Sequence, residues 1–436
     1  MPSPEDLYRR GEFYLDRVRG KDGEVVSPNL YICWYDPVTG RMQRRSTRTA
    51  DLRLAIEVLD RHYLAFHQPA DDDKASYTVH QAMTDYWTLH GAELASADAI
   101  HARLKLVNRF IDHEIAIGVL REPVLPTVLD AEWLMRFRKW GTEIDPVTQR
   151  RRDPETGEWT VSTRKRAKST VEESIIQLKA ALRFNVKRME AVPELKHLPR
   201  AAVTPERNFR LSLDQIAEML DYTAEGDPEL SPAHPARLMP LRRYLIGAIC
   251  TLARPDALYD ISVRPDRQQW HRDASVLDLN PAGRIQTRKN RPALPVTSLL
   301  ANWLEATDDR LVCHESAAEE DEDRWVVQRP VADVKKAWSV MARRFGVPIG
   351  FGPKLMRHSM ATLIAQRGVS QQEIPLALGH VVLPPSTRRY VIFSPAYLSE
   401  TRQGLEDIAS ELARKMATPL HAKPTQVGPD GRRRQV

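Results

Sequence analysis

The sequence predicts a multi-domain protein, mainly α with small β-sheets (α+β). Three observations predict it. The chain has 436 residues, more than a single core of about 150 residues accommodates. Apolar residues recur at helical spacing through most of 75–200 and through much of the chain after 207, the pattern of amphipathic helices. Short runs rich in aromatic and β-branched residues, bounded by turn residues, occur near the N-terminus and again at 276–296, which reads as small sheets.

Taken in order, residues 1–70 read as one small unit. EFYLDRV (12–18) and NLYICWY (29–35) are strand-like, DPVTG (36–40) is a turn, and 41–49 reads as a basic third strand. Leu52, Leu54, Ala55, Val58, Leu59, Tyr63 and Leu64 then predict a helix over 51–66, and QPADDDK (68–74) reads as a linker. In 75–200, helices are predicted at 79–90, 99–117, 131–140 and 170–188. The last carries Ile175, Ile176, Leu178, Leu182 and Val186 on one side, with Ser169 or Thr170 and Glu173 as a capping signal. Between the third and fourth, 145–168 holds two turn signals and two basic strings and reads as an exposed hairpin or loop. A proline-containing linker follows at 192–207. Beyond it, 212–220 opens a helix, and 244–252 is an apolar helix ended by Arg254 and Pro255. Residues 276–296 read as short strands around turns, and 330–345, 353–367, 371–378 and 399–416 as helices. The acidic run 319–323 reads as a surface loop and the last twenty residues as disordered. The resulting division is 1–70, 75–200, 207–400, and a C-terminal helix and basic tail over 401–436.

Composition excludes several classes. Hydrophobic residues make up 42% and charged residues 28%, so the chain is not a wholly disordered one. No apolar run approaches the roughly 20 residues of a membrane span, and MPSPEDLYRR shows no secretory signal. Cys33, Cys250 and Cys313 are too dispersed for a disulfide framework or a zinc cluster, which fits a reducing, cytoplasmic setting. There is no G-x-x-x-x-G-K-[ST] loop, Gly350–Gly352 is too short for a dinucleotide fingerprint, and His113-Glu114 lacks the second histidine of a zinc protease. The acidic run lacks the spacing of a metal loop. No metal and no cofactor is expected.

Charge points toward a polyanion. The net charge is only +6, but basic residues cluster at Arg41, Arg44, Arg45 and Arg48; at Arg150, Arg151 and Arg152; at Arg164, Lys165, Arg166 and Lys168; and at Arg432, Arg433 and Arg434. One such cluster is ordinarily a solvated loop; four in one chain favour a phosphate-rich partner.

The second half carries a further constellation. Arg254 follows a buried helix, where it either caps that helix or faces a ligand. Lys289 sits in a polar turn between strands, with Arg288 as an alternative for the same place. Lys354 and Arg357 share one helix face. Leu378-Gly379-His380 ends a helix and presents a histidine, and Tyr390 comes ten residues later, after Arg388-Arg389. Singly, each has a bland reading as cap, surface or core. Together the order Arg254, Lys289, Lys354-x-x-Arg357, Leu-Gly-His380, Tyr390 resembles the tyrosine recombinase (phage integrase) family. The match is densest in PKLMRHSMATLIAQRGVSQQEIPLALGH, the RRY that follows, and SPAYL. TLARPDALYDIS is similar to the family's first arginine box, and LDLNPAGRIQTRKNRPALPV to its lysine hairpin.

The resemblance implies a mixed helical catalytic domain over 207–400, a helical core-binding domain over 75–200, whose last helix STVEESIIQLKAALRFNVKR matches, and a small N-terminal β-sheet-plus-helix domain of the arm-type DNA-binding kind over 1–70. It implies a site-specific DNA recombinase of a phage or other mobile element. Arg254, Lys289, Lys354, Arg357, His380 and Tyr390 would be catalytic, with Tyr390 forming a 3′-phosphotyrosine. Double-stranded DNA would be the partner, tracked by the basic residues at 150–152 and 164–168. A homotetramer on two duplexes is implied, with accessory DNA-bending proteins, no membrane, and a bacterial cytoplasmic, nucleoid-associated location. The helix over 399–416 would dock on a neighbouring subunit or on its own domain. The chain departs from the family in two places: Lys354 stands where a histidine is usual, and Ala257 where an acid is usual, with Asp256 as substitute. Tyr397 is a rival nucleophile. A DNA-binding or accessory protein on the same fold, and a topoisomerase-like enzyme, are the alternative readings.

Overall fold

The computed structural model describes every residue except 1–6, 20–23, 37–40, 68–73, 153–157, 205, 207, 228–233, 288, 321–322, 395, 424, 428–432 and 436. The expected turn at 36–40, the linker at 68–74, the second turn signal of the basic segment, Arg288 and Arg432 therefore lie wholly or largely outside the described residues. The chain is multi-domain and mainly helical with small antiparallel sheets, as its patterning predicts. It divides into two compact units, Met1–Glu206 and Arg207–Val436, and its described residues build three separate hydrophobic cores.

In the first unit, β1 (Tyr8–Arg10), β2 (Phe13–Arg19), β3 (Val25–Asp36) and β4 (Arg41–Ser46) form an antiparallel sheet in chain order. Alternation puts Phe13, Leu15, Leu30 and Ile32 on one face, where they pack with Ala55 and Leu59 of α1 (Leu52–His67). The fourth strand, β1, has no counterpart in the patterning: YRR is too short and polar to show a period. The next core is built by α2 (Val79–Leu89), α3 (Ala97–Ala116), α4 (Ala131–Lys139) and α5 (Lys168–Phe184). Phe110, Trp133 and Phe137 interlock there with ring centroids 5.2–5.4 Å apart. Thr78 and Gln81 close a capping box on α2. The expected cap on α5 is not made: Ala167 holds that position, and Glu173 instead pairs with Arg103. Two buried carboxylates, Glu114 and Glu172, are each forked by an arginine of α4, Arg136 and Arg138.

The basic segment after α4 is an antiparallel ribbon, β5 (Val147–Arg152) and β6 (Trp159–Arg164). All six residues of β6 are exposed. Its base is tied down by Arg166, which donates to the carbonyls of Gly141 and Asp145 at 3.0 and 2.8 Å and pairs with the Asp145 carboxylate at 2.8 Å. The short α6 (Arg200–Val203) ends this unit's secondary structure.

The second unit is organised around α8 (His234–Thr251), which follows α7 (Leu213–Glu225). From Leu238 onward α8 is buried almost throughout, thirteen residues in all; it extends well beyond the 244–252 read from hydrophobicity. After it come α9 (Pro255–Leu258), the three-stranded sheet β7 (Trp270–His271), β8 (Val276–Asp278) and β9 (Ala293–Pro295), and α10 (Ser298–Glu305). The hairpin β10 (Cys313–Glu320) and β11 (Asp323–Pro330) corrects the reading of the acidic run as a loop: its flanks are strands, paired through Glu319↔Arg324 and Glu320↔Asp323. The helix expected from 330 accordingly begins later, as α11 (Lys335–Arg344). Then follow α12 (Leu355–Gln366), α13 (Glu373–Ala377), α14 (Pro385–Val391), α15 (Ser399–Lys415), β12 (Thr425–Val427) and β13 (Arg433–Gln435).

Of the two places open to the C-terminal helix, the structure shows its own domain: the apolar face of α15 (Leu405, Ile408, Leu412) is buried in the core of its own unit. One expectation about the C-terminus is corrected. The tail is not without structure: β13 and β12 extend the β10–β11 sheet. Arg433 is buried, with its Nε donating to Asp308 Oδ1 at 2.9 Å and Nη1 to the Glu305 carbonyl at 2.8 Å. Among the described residues, no helix is long and apolar enough to cross a membrane.

Candidate active site

Helix α8 ends abruptly. Leu252, fully buried, takes the left-handed conformation at φ 51°, an unusual state for a residue with a γ-branched side chain. The chain then turns into α9, with Pro255 at its first position and Arg254 just before it. Arg254 does not cap α8. Its Nη1 donates to the Asn290 carbonyl, 2.8 Å away in the loop between β8 and β9.

Arg357 reaches the same region from α12 and is buried. Its Nη1 donates to the Leu252 carbonyl at 2.5 Å and its Nη2 to the Leu378 carbonyl at 2.6 Å, with His380 Nε2 at 3.3 Å. One guanidinium thus ties together the end of α8 and the turn after α13. Burial first, and then the Arg254 charge, push Arg357 down to about 10, so it stays cationic at neutral pH. The hydrogen-bond partners of Arg254 and Arg357 found among the described residues are carbonyls and one imidazole, not carboxylates. Two guanidiniums held by neutral groups leave positive charge for an incoming anion.

The Leu-Gly-His turn is closed tightly. Gly379 has φ 63°, and a Cβ there would stand 2.6 Å from the Asn290 carbonyl oxygen and 2.9 Å from Pro292. Both the conformation and the contact require glycine. We expect Gly379→Ala to cost about 1–3 kcal/mol, read as a lower urea midpoint; an unchanged midpoint contradicts the close approach.

His380, anchored through its backbone N–H to the Pro375 carbonyl at 2.8 Å, titrates below the ordinary 6.5. Loss of hydration is the main cause, followed by Arg357, Arg254 and Lys354. The folded chain therefore binds this proton less readily than the unfolded one. Acidification below 6.5 costs stability, and the penalty grows until the folded-state midpoint is passed. An NMR titration should place the His380 midpoint below 6.5, and Arg254→Gln should raise it. A midpoint at or above 6.5 would contradict this placement.

Lys354 is exposed at the N-terminal end of α12. Its charge depresses both His380 and the neighbouring His358, whose lowered pKa again comes first from lost hydration. Lys289 is exposed, one residue before Asn290. Tyr390 lies on α14 and is 80% exposed. That helix is fixed to β8 by Arg388, which donates to Asp278 Oδ2 at 2.5 Å. Tyr397 is the opposite case: it is buried, its hydroxyl donates to the Ala293 carbonyl at 3.3 Å, and burial pushes it up to about 12. Asp256 does not hydrogen-bond Arg254; its carboxylate takes a bond from Arg291 at 3.3 Å.

The structure thus brings Arg254, Arg357 and His380 together, sets Lys289 beside the carbonyl that holds Arg254, and leaves Tyr390 in solvent on a helix fastened to the same hairpin. Of the basic segment, Arg150, Arg164, Lys165 and Lys168 are exposed, and Arg166 is turned inward as the ribbon's anchor; Arg151 and Arg152 lie on β5. Sequence reasoning missed the Asn290 carbonyl and gave His358 no role. A backbone acceptor has no residue signature, and a histidine beside Arg357 shows its charge environment only once the chain is folded. Among the described residues, no group of three His, Cys, Asp or Glu side chains is placed to hold a metal ion.

No model of a known protein family matches this chain, and no curated protein does. Among solved structures, it is similar to DNA integrases and site-specific recombinases. They include the Tn1549 transposon integrase in complex with circular intermediate DNA, with TM-score 0.44 and 13% identity over 76% of this chain and 100% of that one. A lambda integrase tetramer bound to a Holliday junction has TM-score 0.43 and 14% identity, over 87% and 95% of the two chains. The XerH site-specific recombinase bound to palindromic difH substrate has TM-score 0.43 and 16% identity, over 83% and 89%.

Proposed function

We propose that the chain is a tyrosine recombinase: a site-specific DNA recombinase, or integrase, of a phage or other mobile element. The observation that carries this reading is the meeting of Arg254, Arg357 and His380, drawn from three separate segments, with an exposed tyrosine on a helix anchored to the same β8–β9 hairpin.

In this reading the Tyr390 oxygen attacks a backbone phosphorus. The new bond is a 3′-phosphotyrosine ester, and the bond broken is to the 5′-oxygen, which leaves with a proton supplied by Lys289. The Tyr390 phenol gives up its proton to solvent as its oxygen attacks. Negative charge builds on the non-bridging oxygens, where Arg254 and Arg357 donate; one such donor is worth about 3–4 kcal/mol. His380 bonds the phosphate or orients the tyrosine. Because the phosphotyrosine keeps the energy of the broken ester, the free 5′-hydroxyl rejoins the strand by the reverse step.

The partner is double-stranded DNA. Units 1–70 and 75–200 serve as arm-type and core-binding domains, and unit 207–400 as the catalytic domain. The exposed cations of the β5–β6 ribbon lie against phosphates. A tetramer on two duplexes, accessory DNA-bending proteins and a nucleoid-associated cytoplasmic location belong to the same proposal. The test is a nicked duplex carrying the element's attachment site, mapped from the DNA flanking the gene. A covalent protein–DNA adduct is expected. Site-specific binding with no adduct would favour a DNA-binding or accessory role, which Lys354 in place of histidine motivates; relaxation of supercoils without site dependence would favour a topoisomerase-like enzyme.

A further inference from the structure

The described residues of the loop between β8 and β9 form no helix or strand, yet they include Lys289 and the carbonyl that holds Arg254. Something must fix it, and Arg291 is placed to do so. Its side chain is buried. Nη1 donates to Asp260 Oδ2 at 2.5 Å, and Nη2 to the carboxylate and the carbonyl of Asp256, both at 3.3 Å. Asp260 is in turn held by Arg267 and Arg310, each at 2.5 Å, so it is a fixed point. The backbone of Arg291 is clamped as well: its N–H donates to Gln286 Oε1 at 3.2 Å, and its carbonyl accepts from Gln286 Nε2 at 2.9 Å. Asn290, immediately before it, is buried with its carbonyl between Arg254 and Gly379.

We infer that Arg291 is a positioning residue for the cleavage centre, acting through the Asn290 carbonyl on Arg254. The inference rests on the recombinase reading. Aspartates 256 and 260 do not touch the phosphate; they anchor the arginine that sets the loop. Asp256 lies two residues after Arg254 and Asp260 six after it, so one short stretch of chain supplies both the phosphate-clamping arginine and the acids that indirectly aim it.

The test uses the full-length chain with Arg291→Gln, Arg254→Ala and the double variant. Single-turnover cleavage of the nicked duplex is measured at saturating protein. Arg291→Gln is expected to slow cleavage on the order of 10–100-fold, the scale of a misplacement of about 1 Å, with DNA affinity retained. The double variant should cleave no more slowly than Arg254→Ala, since an aimed residue that is absent cannot be misaimed. Wild-type cleavage by Arg291→Gln, or losses that multiply in the double variant as for independent structural damage, overturns the inference. A second readout needs no catalysis: Arg291→Gln should raise the His380 NMR midpoint toward that of Arg254→Gln, and an unmoved midpoint also overturns it. If Arg291→Gln fails to fold, Gln286→Ala, which loosens the loop without touching the ion pairs, is held to the same criteria. Absence of an adduct in the wild-type chain sinks the recombinase reading; a moved midpoint with no adduct leaves the loop-positioning geometry standing by itself.

Discussion

Tyr390→Phe should abolish the covalent protein–DNA adduct while leaving both the fold and the DNA affinity in place. The change removes one oxygen and nothing else. The ring is 80% exposed, so no buried hydrogen bond is lost, and the effect on stability should stay within about 0.5 kcal/mol, the range of ordinary surface substitutions. Binding should change by no more than about twofold on the same basis. Cleavage is different in kind, because without the hydroxyl no phosphotyrosine can form. Tyr397→Phe supplies the matching control. Its hydroxyl donates to a buried carbonyl, so its loss should cost about 1 kcal/mol of stability and leave adduct formation intact. An adduct that survives in Tyr390→Phe and disappears in Tyr397→Phe would reassign the nucleophile.

The second large effect is expected at Arg357. Replacement by alanine removes a transition-state donor, which should slow cleavage about 10²–10³-fold. It also leaves the Leu252 and Leu378 carbonyls without their partner, at about 1–3 kcal/mol for each buried group left unsatisfied. Those two effects separate in experiment: the first appears in single-turnover cleavage below the melting range, the second in the urea midpoint. Arg357→Lys should recover little of the rate. An ammonium keeps the charge, but it cannot span two carbonyls and the imidazole from a planar fork while offering further donors to a phosphate. Cleavage by Arg357→Ala within tenfold of the wild type would remove this residue from the catalytic set.

Much of the fold was legible because helices and turns are encoded over short windows. The stripes at 79–90, 99–117, 131–140 and 399–416 each became a helix, and the basic string at 145–168 became a hairpin. The misreadings share a physical cause. β1 and the tail strands β12 and β13 have no apolar alternation; they are strands because a neighbouring strand completes their hydrogen bonds. The flanks of the acidic run are strands for the same reason. The capping signal before α5 is not used because the helix begins earlier, at Lys168, with Ala167 at the cap position.

What the amino-acid sequence determined by itself was the inventory and order of chemistry: cations at Arg254, Lys289, Lys354 and Arg357, a histidine on a glycine turn, and Tyr390 ten residues after it, with Tyr397 a more distant rival. Only the tertiary structure shows that Tyr397 is buried against Ala293 and Tyr390 left in solvent. It also turned Arg166 inward, folded α15 onto its own unit, and made the Asn290 carbonyl the meeting point of Arg254 and Gly379. Local conformational preferences act between residues a few positions apart, whereas burial and guanidinium–carbonyl pairing join residues as far apart as Arg357 and Leu252, 105 positions away.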